Sequence, residues 1–111
     1  MATHQAVPGD VVDLERWADD LPAEHSKAIL RTDALELARL VIGAGEAMHP
    51  HRPCRVAGDI VIHCLQGAIA LRVDGRDSRL GAGQLVCLEG DVTHEVSGIE
   101  DAVVLLTITF R

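Results

Sequence analysis

After Lys27, apolar and polar residues alternate in short runs, and glycines or an Asp-Gly pair separate one run from the next. The alternation predicts strands over 28–31, 35–42, 47–51, 59–65, 68–73, 78–80, 84–88, 93–96 and 102–110. Asp74-Gly75 stands between two of these runs. That pair is the signal for a hairpin closed by a type I′ turn, whose central residues need positive φ. Short strands at this spacing with no helix between them imply a sandwich or a closed barrel. The last run, from Val103 to Phe110, is almost wholly apolar and reads as a buried core strand or an interface strand.

The N-terminal stretch, 1–27, is different in kind: polar, acidic and interrupted by Pro8, Gly9 and Pro22. Within it, 10–20 is expected to form one short helix, with Asp10 as N-cap and Val11, Leu14 and Trp17 along one face. The organisation expected is an N-terminal arm over 1–27 and a β-barrel over 28–111, with no internal repeat.

The chain has 111 residues, enough for one domain, and is 48% hydrophobic, so a continuous core needs no disulfides. A formal charge of −7, with Trp17 and Phe110 the only aromatics, argues against a nucleic-acid partner, which would require cationic and stacking surfaces. Neither a basic leader with an apolar stretch nor an uncharged run of about 18–20 residues is present, so a soluble, cytoplasmic protein with no membrane partner is expected. Cys54, Cys64 and Cys87 form no CxxC pair. They are expected to be reduced, with Cys64 and Cys87 as small core residues.

Six histidines are present. His4 and His25 fall in the arm, whereas His49, His51, His63 and His94 fall in the β region. His49 and His51 are one residue apart in an extended run, so their side chains leave the same strand face about 7 Å apart. Two imidazoles so placed can converge on one ion if a third ligand comes from a neighbouring strand. His94 is suited to this, since it follows the loop Glu89-Gly90-Asp91-Val92 and opens a short strand. Three neutral imidazoles suit one divalent transition metal (Zn, Fe, Ni, Mn or Cu) and leave positions for water or substrate.

From Gly43 to Gly98 the sequence resembles the two motifs of the cupin superfamily. The first motif reads Gly, five residues, His-x-His, three or four residues, Glu, six residues, Gly; here Gly43 precedes His49-Pro50-His51 by five residues, and Gly67 closes the motif. The second reads Gly, five residues, Pro-x-Gly, two residues, His; here Gly83 opens it and His94 holds the histidine position, with Glu89 and Asp91 in place of the proline and glycine. Fifteen residues separate Gly67 from Gly83, a short spacing like that of compact single-domain cupins. The resemblance implies an all-β double-stranded β-helix, the jelly-roll cupin barrel, assembled as a homodimer by sheet extension or arm exchange.

Two departures matter. The motif glutamate is missing: Arg55 and Val56 stand four and five residues after His51, and Ile60 stands seven before Gly67. The segment between His51 and Gly67 is also longer than the pattern. For a fourth ligand, His63 comes first, although simple alternation turns it to the other face; Asp59 and Cys54 are the alternatives, Asp59 being equally suited to capping a turn. Arg52 or Arg55 has the planar fork to bind an acidic ligand. The resulting expectation is a small metal-binding cupin, a candidate metalloenzyme acting on a small polar molecule through a His-coordinated ion. The alternatives are a non-catalytic binding or sensor barrel, and a barrel whose histidines are structural.

Overall fold

A computed structural model describes residues 6–14, 27–48 and 55–110. Eight strands follow in order: β1 (Lys27–Arg31), β2 (Leu35–Ile42), β3 (Ile60–Gln66), β4 (Ala68–Val73), β5 (Arg76–Gly81), β6 (Leu85–Leu88), β7 (His94–Gly98) and β8 (Ala102–Thr109). They form a five-stranded sheet in the order β1-β2-β8-β3-β6 and a three-stranded sheet in the order β5-β4-β7. All the strand pairings are antiparallel. Ala44 and Ala47 add single bridges alongside Gly98 and Ser97 of β7. The expected all-β jelly roll is the architecture found.

The core lies between the two sheets. Ile60, Ile62 and Cys64 alternate inward from β3 and meet Ile69 and Leu71 of β4 and Val96 of β7. Period-two alternation makes one face of each strand apolar, and closing those faces on each other removes them from water at about 25 cal/mol per Å². Asp74 (φ 50°) and Gly75 (φ 75°) make the two-residue connection between Val73 and Arg76, as the type I′ signal requires.

Cys87 and the capping role of Asp10 depart from expectation, and the helix expected over 10–20 and the strand expected over 47–51 lie partly outside the described residues. Asp10 does not reach forward to cap a helix, because its Oδ2 accepts the N–H of Val7 at 3.0 Å and closes a turn behind it. Val11 is 98% exposed and packs on nothing, and residues 15–26, which hold most of the expected helix, lie outside those described. Cys87 is exposed rather than a core residue, since it shares its face with Leu85 and not with Val86 and Leu88. Of the strand expected over 47–51, Ala47 keeps its bridge to β7 and residues 49–51 fall outside the description. No helix among the described residues is long and apolar enough to cross a membrane.

On the outer face of the three-stranded sheet, Arg72 donates from Nε to Asp77 Oδ1 (2.7 Å) and from its amino group to Oδ2 (3.2 Å). Those hydrogen bonds hold the Asp77 carboxyl below the ordinary aspartate pKa. A depressed carboxylate pKa gives stability that is present at neutral pH and is lost as pH falls through the folded value. A carboxyl-carbon NMR titration is therefore expected to place the Asp77 midpoint below the ordinary aspartate value, and Arg72→Ala to return it upward. An Asp77 midpoint unmoved by Arg72→Ala would show that the fork does not hold it.

Candidate functional site

β7 starts at His94, and its register sets the site. Val73 of β4 stands opposite both His94 and Arg76, and in the next inward row Leu71 stands opposite Val96 and Ser78. His94 therefore shares the inner face with Val96, a core residue, and is only 2% exposed. Its Nδ1 lies 3.2 Å from the carbonyl oxygen of Val92. A carbonyl oxygen only accepts, so the proton of the neutral ring belongs on Nδ1 and the lone pair on Nε2. An imidazole oriented by a backbone carbonyl in this way has the arrangement that metal-ligating histidines commonly show.

The loop before His94 is tied to the segment that enters β3. Asp91 (φ 66°) donates its N–H to Val56 O at 2.7 Å, and Gly90 donates to Asp59 Oδ1 at 2.9 Å. Arg55 approaches Asp91 at 3.8 Å, with both side chains exposed. On the other side of His94, Met48 donates its N–H to Val96 O at 2.8 Å. Both ends of the stretch carrying His49, Arg52, His51 and Cys54 are thus fixed beside β7, while 49–54 itself lies outside the described residues. Met48 and Val56, on either side of that stretch, pack against the core.

His63 is not brought to His94. It lies between Ile62 and Cys64, both inward, and so faces out, opposite Leu85 and Leu105. Asp59 is exposed and serves as the acceptor for the Gly90 N–H, the turn-capping role weighed from its sequence position. Ile60, at the place of the motif glutamate, is 3% exposed on the inner face. The carboxylate in its row is Glu36 of β2, and it already sits 3.8 Å from Arg31. Among the described residues no three His, Cys, Asp or Glu side chains are grouped to hold an ion.

A cavity of about 550 Å³ opens between β2 and the 45–48 segment, with Leu40, Ile42, Glu46 and Met48 among its walls. Its size is that of a small-molecule pocket, about 300–1,000 Å³. His94 does not line it. The Glu46 carboxylate is turned back to accept the Gly43 N–H at 3.0 Å.

Arg39 was missed from sequence. It is fully buried on the outer face of the five-stranded sheet. The available signal was its parity: it shares alternation with Leu35, Leu37 and Val41, so it is a cation placed on an apolar stripe.

The sequence matches no family model and no curated protein. Solved structures match over most of the chain. A cupin superfamily protein from Desulfitobacterium hafniense superposes with TM-score 0.76 at 17% identity, covering 85% of this chain and 87% of that one. A conserved protein of unknown function from Streptococcus pyogenes gives TM-score 0.76 at 17% identity, covering 93% and 89%. A cupin-2 domain protein from Shewanella frigidimarina gives 0.73 at 13% identity, covering 90% and 95%. Likeness at these identities establishes architecture, and with the register and inward core it gives the conclusion that the chain folds as a cupin-type barrel.

Proposed function

We propose that this barrel binds one divalent transition metal through His94, His49 and His51, and that a small polar molecule meets the ion there. The observation that carries the reading is the buried His94 ring, oriented by the Val92 carbonyl so that Nε2 is the free acceptor on the inner face. Met48 and Val56 support it, because they fix both ends of the His49–His51 stretch on the same side of the barrel. When bound, the ion would act as a Lewis acid toward an oxygen of the molecule beside it. The chain's own part is to exclude water from that side with Val73, Leu71 and Ile60.

A second reading, a non-catalytic binding or sensor barrel, is favoured by Ile60. An apolar residue at that place leaves the ion's charge unneutralised by any inner-face carboxylate there, which suits binding better than activation.

Tag-free protein, stripped with a chelator and titrated with Zn²⁺ or Mn²⁺, is expected to take up about one ion per chain, as in three-histidine sites. His94→Ala and the double variant His49→Ala/His51→Ala are each expected to abolish uptake while keeping a cooperative melt. Uptake well below one ion in the parent chain, or uptake unchanged in the variants, would end the proposal.

A further inference from the structure

One face of β5 is turned into the barrel. Its register sets Arg76 opposite Val73, Ser78 opposite Leu71 and Leu80 opposite Ile69. Residues directly opposite in an antiparallel pair share a sheet face, and Ile69 and Leu71 are core residues with Val73 packed against them. Arg76 and Ser78 therefore stand on the inner face, where an apolar residue is the ordinary occupant. Along that face Leu80 is buried while Ser78 and Arg76 are exposed, so the inner surface opens to solvent toward the Asp74-Gly75 turn. The other charges of this sheet, Arg72, Asp77, Arg79 and Glu95, take the outer face, where charge is expected.

The row that holds Arg76 also holds His94. Val73 is paired with both, so the three stand in line from β5 through β4 to β7. Arg76 and His94 are two strand spacings apart, about 9–10 Å. Arg76 is also uncommitted. Arg31, Arg55, Arg72 and Arg79 each stand within 4.0 Å of a carboxylate, and Arg76 has no such neighbour among the described residues. Nor does the inner face bring an acid to the ion's side: Ile60 stands where the motif has glutamate, and Glu36 in its row sits by Arg31.

We infer that Arg76 is the anion-binding residue of this barrel, taking a carboxylate of a short aliphatic molecule whose other end reaches the ion at His94. The inference names the ligand class of the metal site and rests on that reading. An ion held by neutral imidazoles keeps its positive charge, and Arg76 places a second one across the row. Between the two lies only the apolar side chain of Val73. That arrangement matches a carbon chain with anionic oxygen at both ends, and the planar guanidinium fork pairs two for two with a carboxylate.

Isothermal calorimetry on the Zn²⁺-loaded chain tests it with succinate, a short chain with a carboxylate at each end, and with succinamide, the same chain uncharged. Succinate is expected to bind at least about 10-fold more tightly than succinamide. At saturating Zn²⁺, Arg76→Gln is expected to weaken succinate at least about 10-fold, the loss of one charge-assisted hydrogen bond. Arg76→Lys, which keeps the charge without the fork, is expected to fall between Arg76→Gln and the parent. Arg79→Gln, on the outer face, is expected to bind as the parent does. A chain that takes up Zn²⁺ but binds succinate no better than succinamide, or an Arg76→Gln variant that binds succinate as the parent does, would overturn the inference and leave the metal reading standing. A chain that takes up no Zn²⁺ would overturn both.

Discussion

Gly67→Ala is expected to lower stability by about 3–4 kcal/mol, a large share of what a domain of this size holds in reserve. Two costs add at this position. Gly67 joins β3 to β4 with φ at 76°, a left-handed conformation that costs a residue with a Cβ about 1–2 kcal/mol. A Cβ there would also run into the backbone oxygen of Asp101 and the Cα of Ala102, where β8 begins. Backbone does not swing aside as a long side chain does, and forcing a group into filled space costs about 1–3 kcal/mol. Gly83 supplies the control. Its φ is 87°, yet a Cβ there meets nothing within 4 Å, so Gly83→Ala is expected to cost about 1 kcal/mol. In thermal melts the Gly67 variant should fall on the order of 10 °C below the Gly83 variant. Equal melting points for the two would show that the β3–β4 corner is not held against β8 as described.

That corner also shows what could be read from the residues. Gly67 was legible as a turn, and the strands on both sides of it as period-two runs, because burial of one face writes itself into the alternation. Strand ends were less legible. The run expected over 78–80 extends as β5 from Arg76 to Gly81, because backbone pairing with β4 continues under side chains that are charged. Hydrophobicity reports burial, not hydrogen bonding, so the exposed rows of a ladder leave no mark.

The outer face of the five-stranded sheet misleads for the opposite reason. Val103, Leu105 and Thr107 look from sequence like core neighbours of Val104 and Leu106, and a wholly apolar strand does not say which face is which. Arg39 was hidden by the same ambiguity, an arginine being assigned to solvent by default. At the candidate site, alternation through Ile62 and Cys64 already turned His63 outward, and the structure keeps it there. The inward direction of His94 rested on motif likeness alone until the pairing with Val73 and the shared face with Val96 supplied a geometric reason. Asp59 could be read either as ligand or as cap, and its bond to the Gly90 N–H supplies the cap.

His94→Leu separates a histidine kept for binding from one kept for structure. The ring is 2% exposed, stands opposite Val73 and makes one hydrogen bond, Nδ1 to Val92 O. Leucine offers a similar volume and packs against the same apolar row, which offsets the about 0.5–1.5 kcal/mol that one lost hydrogen bond is worth. The Val92 carbonyl loses a donor in the variant, but it lies in the loop before β7. These terms nearly cancel, and chelator-treated His94→Leu is expected to melt within about 1 kcal/mol of the parent chain or above it. Its affinity for Zn²⁺ is expected to fall at least about 100-fold, beyond what is typical for losing even an outer-shell partner. If the metal-free variant instead loses several kcal/mol while ion binding is unchanged, the imidazole belongs to the fold and not to a metal centre. Stability that rises as binding disappears would be the signature of a side chain held in the interior for what it ligates.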